Sequence, residues 1–264
     1  MRKKQIGLFL LLAFLSASLF AQEEKQPPGI HYFYNSGWLV ETTRHLLVFD
    51  FVPDPKAGVS FADLQKRINE TSANKPLLVF ISHNHPDHFT DSIFTLQQQA
   101  RTMRFILGWK PTSPPAVKNL SLLFPGDSLV QNDLSVFTHP ATDDGSAFLV
   151  TIDDLTIYHA GDHALWVEEI AGDYTAPLEK FRTKALRIDL AFLPAARGLM
   201  MGCAVDSVME KSVCLAATIL QPKKVALQHI GCTDALHRYK QVRQNLTALK
   251  VDWIIPEAFN SRVY

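Results

Sequence analysis

The chain has 264 residues, 26 basic and 26 acidic side chains, and a 47% hydrophobic composition. That balance excludes disordered and fibrous classes and offers no overall field to draw nucleic acid. Three cysteines are too few for a disulfide scaffold or a four-cysteine zinc module, whereas three of the ten histidines crowd between 83 and 88.

Arg2, Lys3 and Lys4 precede an apolar run from Ile6 to Phe20, and Ala21-Gln22 follows as a small-residue cleavage point. Residues 1–21 therefore read as a secretory signal peptide, with an uncleaved anchor as the alternative. The mature chain, 22–264, is expected as a single exported domain, periplasmic or secreted, with no stable membrane span after cleavage. In such a compartment Cys203, Cys214 and Cys232 can in principle pair, leaving at least one free.

After a polar tether over 22–29, alternating and β-branched runs predict strands at Ile30–Tyr34, Trp38–Glu41 and Leu46–Phe51. Residues 60–72 are amphipathic and predict a helix. Leu77–Ile81 is a continuous apolar run, as in a strand buried on both faces. A helix over Thr90–Arg101 and a strand over Arg104–Leu107 follow. The middle predicts strands at Leu122–Phe124, Ser135–Thr138, Ala147–Ile152 and Leu155–His159, the last two as a hairpin. The final third alternates: helices near 176–186, 204–220 and 234–248 precede strands at Asp189–Leu193, Lys224–Gln228 and Asp252–Ile255. This pattern predicts two mixed β-layers with helices outside them.

The strand Leu77–Ile81 ends in Ser82-His83-Asn84-His85-Pro86-Asp87-His88. Alternate residues of an extended segment share a side, so His83 and His85 can converge on one ion. Asp87 and His88 can face a second, and imidazole with carboxylate suits zinc, iron or manganese. The cluster also follows the carboxyl end of a buried strand, where α/β layers place their sites.

This segment resembles the H-x-H-x-D-H signature of the metallo-β-lactamase-fold hydrolase superfamily. The resemblance continues in Asn35–Glu41 with Leu46–Asp50, in Tyr158-His159-Ala160-Gly161-Asp162, and in Val225-Ala226-Leu227-Gln228-His229, in the family's order. The early strands look like the branch that includes ascorbate-6-phosphate lactonase, although that branch carries His where Asn35 stands. The resemblance implies an αββα four-layer sandwich of α/β class and two divalent metal ions, with zinc first and manganese or iron as alternatives. It implies His83 and His85 on the first metal, Asp87, His88 and His229 on the second, and Asp162 bridging them. His139, at the end of the strand 135–138, is expected as the third histidine of the first site, with Asp143 the nearby candidate if it is not. Asp50 is either a support for a ligand imidazole or a plain strand-end turn. His159 reads as a core or supporting group, and His163 and Trp166 are candidates for the pocket. The loop 197–203, with Met200 and Cys203, either approaches the metals or simply enters a helix. His31, His45 and His237 read as surface or packing residues.

Two such ions generate hydroxide from a bridging water and clamp the oxyanion that forms. The expected function is hydrolysis of a small-molecule lactone, ester, amide or phosphoester. The resemblance implies Asp87 and Asp162 as the catalytic carboxylates, with Asp87 expected to orient water or handle the departing proton. The diiron redox relatives place Glu where His85 stands, and a nuclease lacks its basic stripe here, so no nucleic acid partner is expected. The remaining alternatives are a β-lactamase or phosphodiesterase activity on the same fold, and a non-catalytic exported metal-binding protein.

Overall fold

A computed structural model describes residues 27–264 except 73, 100, 114, 186, 199–203 and 205. The expected signal segment 1–21, Met200 and Cys203 lie outside the described residues.

Strands β1 (Gly29–Tyr34), β2 (Gly37–Glu41) and β3 (Leu46–Phe49) form an antiparallel meander. Helix α1 (Phe61–Asn69) leads to β4 (Leu77–Ile81), and β5 (Met103–Leu107) and β6 (Leu120–Leu122) extend the sheet parallel to it. The second sheet repeats the plan. β7 (Ser128–Gln131), β8 (Leu134–Pro140), β9 (Ser146–Ile152) and β10 (Leu155–His159) are antiparallel. β11 (Leu190–Pro194), β12 (Lys224–Gln228) and β13 (Asp252–Ile254) then run parallel to β10. Their crossovers are α2 (Ala171–Lys184), α3 (Ser207–Leu220), α4 (Ala235–Arg238) and α5 (Lys240–Ala248). Finally β14 (Ser261–Arg262) returns to pair with β1, so among the described residues each sheet holds seven strands.

Three apolar layers hold this together. Trp38, Phe49 and Phe80 of one sheet meet Phe148, Ile157 and Phe192 of the other in the central layer. Leu64 and Ile68 of α1 cover the outside of the first sheet. Tyr174, Leu178 and Phe181 of α2, with Val213 of α3 and Val242 of α5, cover the outside of the second. The result is the αββα sandwich, in which α1 starts cleanly because Ser60 and Asp63 cap one another's backbone. The segment expected as a helix over Thr90–Arg101 is a 3-10 helix, Asp91–Gln98. Helix α2 begins before the expected 176 and carries Pro177 inside it. Among the described residues no helix is long and apolar enough to cross a membrane.

Two strand ends are pinned together at Ser82, just past β4. Ser146 N–H donates to the Ser82 carbonyl at 3.1 Å, joining the two sheets. A Cβ at Gly108 would sit 2.4 Å from that same oxygen, and one at Gly145 2.2 Å from it, with Gly145 also at φ +68°. Only glycine permits this approach. Gly108→Ala should therefore cost about 1–3 kcal/mol in urea unfolding. Gly172→Ala in α2, where an added Cβ meets nothing within 4 Å, should change stability by less than about 0.5 kcal/mol.

Candidate metal centre

The parallel strands of both sheets end at one rim, and the chemistry-bearing residues gather there. Past the end of β3, Asp50 takes a left-handed backbone at φ 40° and is fully buried. Its Oδ1 accepts from Ser82 N–H at 2.7 Å and its Oδ2 from Ser82 Oγ at 2.6 Å. The same Oδ2 lies 2.8 Å from His88 Nδ1, an acceptor that keeps a proton on Nδ1 and leaves Nε2 facing the convergence. Asp50 thus supports a ligand-type imidazole and is more than a strand-end turn.

Asp162, after β10, is the point of convergence. Its Oδ1 lies 2.8 Å from His229 Nε2 and 3.1 Å from His88 Nε2, and its Oδ2 lies 3.2 Å from His83 Nε2 and 4.0 Å from His85 Nδ1. The two ring nitrogens of His88 and His229 are 2.9 Å apart. Asp87 Oδ2 is 3.7 Å from His88 Nε2. His229 itself has φ 63°; its N–H donates to Asn35 O at 3.0 Å, and its Nδ1 faces Ala196 O at 3.2 Å. Asn35 also donates through Nδ2 to the Asp87 backbone oxygen at 3.2 Å and to Asp87 Oδ2 at 3.4 Å. A residue departing from the lactonase-like pattern therefore holds the Asp87 side chain and the His229 backbone.

Charge follows the same geometry. Burial works against ionisation of Asp162, but His229 and His88 outweigh it and hold the carboxyl well below the usual range. Burial likewise works against a charged His88, yet Asp162 and Asp50 raise it well above the ordinary histidine value. Two aspartates thus make this buried point attractive to positive charge.

The structure brings His83, His85, Asp87, His88, Asp162 and His229 together, and it does not bring His139 to them. Three overlapping donor groups form: His83 with His88 and Asp162, Asp87 with His88 and His229, and His85 with Asp143 and Asp162. Asp143 Oδ2 lies 3.9 Å from His85 Nδ1, in the position expected of His139. The reason is parity. β8 continues to Pro140, which pairs with Ser146, so His139 is still a strand residue. It shares the outward face with Phe137 and packs under α2 against Phe181 at 4.4 Å. Its Nδ1–H donates to Pro140 O at 2.7 Å, and its Nε2 accepts from Tyr158 hydroxyl at 3.1 Å. His163 also turns into that core, with Nε2 2.9 Å from Tyr174 O. His159 faces the central layer, stacked on Phe49 at 4.9 Å. A further group, His45 with Asp133 and Asp153, lies at the opposite rim, where Arg44 bridges both carboxylates as an ion-pair network.

A cavity of about 650 Å³ opens over the convergence, lined by His85, Asp87, Asp143, Asp162, Trp166, Arg197 and His229 among others. Trp166 is held there by its indole N–H donating to Asp162 O at 3.2 Å. Arg197 and Gly198 open the loop 197–203, expected either to approach the metals or to enter a helix, and both line this cavity.

No protein-family model matches the chain. It is 24% identical over 245 residues to a UPF0173 metal-dependent hydrolase of Pyrobaculum calidifontis, covering 89% of this chain and 91% of that one. Its structure is similar to the metallo-β-lactamase-fold protein YhfI of Bacillus subtilis, at TM-score 0.55 and 12% identity, over 90% of this chain and 100% of that one. The chain has the metallo-β-lactamase fold and is similar in sequence to metal-dependent hydrolases. The structure is also similar to that of CmlA, a diiron β-hydroxylase from Streptomyces venezuelae. The TM-score is 0.63 and the identity 12%, over 91% of this chain; the chain spans 55% of CmlA, about half its length.

The core position of His139 has a measurable consequence. Burial lowers its pKa to about 4, against about 6.5 in an unfolded chain. The unfolded chain takes up this proton first, so stability is lost as pH falls from about 6.5 towards 4. Between pH 7 and pH 5 this group should account for about 2 kcal/mol of that loss. In urea unfolding at the two pH values, His139→Gln should lose about that much less stability on acidification than the unsubstituted protein.

Proposed function

We propose that this protein is an exported dinuclear metal-dependent hydrolase acting on a small carbonyl substrate (lactone, ester or amide) or a phosphoester. The observation that carries this reading is a pair of buried polar atoms without hydrogen bonds at the convergence: His83 Nε2 and Asp162 Oδ1 have no such partner. Asp162 Oδ1 lies close to two imidazole nitrogens yet without hydrogen-bond geometry, so the lone pairs aim at a common point. Buried polar atoms left in this way are costly unless a cation satisfies them.

His83, His85 and Asp143 would hold a first metal, Asp87, His88 and His229 a second, and Asp162 would bridge. Zinc suits this mixed imidazole and carboxylate set, and its three aspartates suit manganese or iron as well. When bound, such a pair supplies a nucleophile at neutral pH and a Lewis acid for the developing oxyanion. The remaining work belongs to the protein. Asp87 is steadied by Asn35 and reaches the cavity, so its carboxylate can take the proton from attacking water and pass it to the leaving group. Trp166 supplies a flat apolar wall for the rest of the substrate. Asp50, through His88, keeps one imidazole in the ligating tautomer.

Export is supported by the basic and apolar layout of residues 1–21 and by Cys232, which is disulfide-bonded, as suits an oxidising compartment. Cys214 is a free thiol.

The test is metal analysis of the purified protein together with turnover on a panel of lactones, esters, phosphodiesters and β-lactams. Two divalent ions per chain and turnover of at least one class are expected. Asp162→Ala should lose the second ion and lower turnover by at least about a hundredfold. Full activity in that variant would refute the bridging role. Two bound ions with no turnover anywhere in the panel would favour the metal-binding protein instead.

A further inference from the structure

Among the described residues lining the cavity over the cluster, Arg197 is the one Lys or Arg side chain. Arg197 lies just after β11, about a third exposed, and its Nε donates to Asp206 Oδ2 at 2.5 Å. Asp206 is itself fixed: its Oδ1 accepts from Val208 N–H at 2.8 Å and Met209 N–H at 3.3 Å, capping the start of α3. A partly exposed ion pair of this kind contributes little stability. Its effect is to hold the guanidinium by one edge. Among the described residues neither terminal nitrogen of Arg197 has a hydrogen-bond partner. That leaves a pair of donors in the fork geometry that matches a carboxylate or phosphate.

The fork is also close to the converging side chains. The next residue, Gly198, has φ +100°, and a Cβ placed there would lie 3.9 Å from both Asp87 Oδ2 and His229 Nδ1. Arg197 therefore shares a wall with the second donor group, and Trp166 lines the same cavity. No carboxylate in the cavity is within ion-pair distance of its terminal nitrogens; Asp206 takes Nε alone.

We infer that Arg197 is a specificity-determining residue that binds an anionic group, carboxylate or phosphate, carried by the substrate away from its scissile bond. The substrate class is then an anionic ester, lactone, amide or phosphoester with a flat or apolar portion against Trp166. This rests on the hydrolase reading for which bond is broken, though anion binding at Arg197 can be measured without any turnover.

The experiment titrates the zinc-loaded protein calorimetrically with α,ω-dicarboxylates from malonate to adipate and with their monoamides. One carboxylate of each can occupy the metal centre, and only the dicarboxylates offer a second anion. At one or more chain lengths the dicarboxylate should bind roughly 10- to 100-fold tighter than its monoamide. Arg197→Gln should abolish that preference with metal content unchanged, and Arg197→Lys should keep part of it. No preference at any length, or a preference that survives Arg197→Gln, overturns the inference. In a second arm, Arg197→Gln should raise KM for a carboxylate-bearing ester and leave its neutral methyl ester unchanged; equal losses on both would also overturn it. A dicarboxylate preference in a protein that hydrolyses nothing would uphold the anion site and remove the hydrolase reading.

Discussion

Asp50 is a buried carboxylate held by three donors, and the geometry of the rim depends on it. Burial alone would favour its neutral form, but the charges of His159 and His88 and the His88 hydrogen bond overcome this and hold its carboxyl below the usual range. Being an acceptor only, it can take the Ser82 amide, the Ser82 hydroxyl and the His88 imidazole at once. Ser82 in turn accepts from Ser146 of the other sheet. One carboxylate thus fixes where β4 ends, which way His88 points, and how the two sheets meet.

The two-sheet plan explains why the donors come from distant parts of the chain. Each sheet is an antiparallel meander followed by parallel strands, so each sends strand ends to the shared rim. The first sheet contributes the segment from His83 to His88. The second contributes Asp162 after β10 and His229 after β12. Asn35 ties them across the gap through a bridge with Ile230. Function here is a matter of loops on rigid supports, since strand ends can be positioned closely while the strands remain packed. The cavity wall beside them carries Trp166, tied to the Asp162 backbone oxygen, and Arg197.

Much of this was legible in the sequence because the buried strands announce themselves. Leu77–Ile81, Leu155–His159 and Lys224–Gln228 are expected and observed with the same bounds, since continuous apolar runs bounded by turns or charges leave little freedom. The exposed edge strand Ser128–Gln131 gave no such signal, for almost none of it is buried. Two-residue β14 is defined by its partner β1 rather than by its own residues. His139 failed for a subtler reason. A histidine before a proline looks like a strand end, but pairing with Ala147 carries the strand past it, and period-two geometry then turns its ring outward. Counting parity from Phe137 would have directed it under α2 and left Asp143, in the following turn, to face His85. The loop opened by Arg197 was legible as a candidate wall, but the role of Arg197 itself was not, because it depends on the contact with Asp206 and on the cavity.

The most direct test of this account is anomalous diffraction at the metal edge from crystals of the metal-loaded protein. Two peaks are expected, sharing Asp162 between them. One should lie within about 2.0–2.2 Å of donor atoms from His83, His85 and Asp143, and the other equally close to Asp87, His88 and His229. A peak coordinated by His139, or fully occupied crystals with a single peak that leaves His229 or Asp143 unbound, would contradict it.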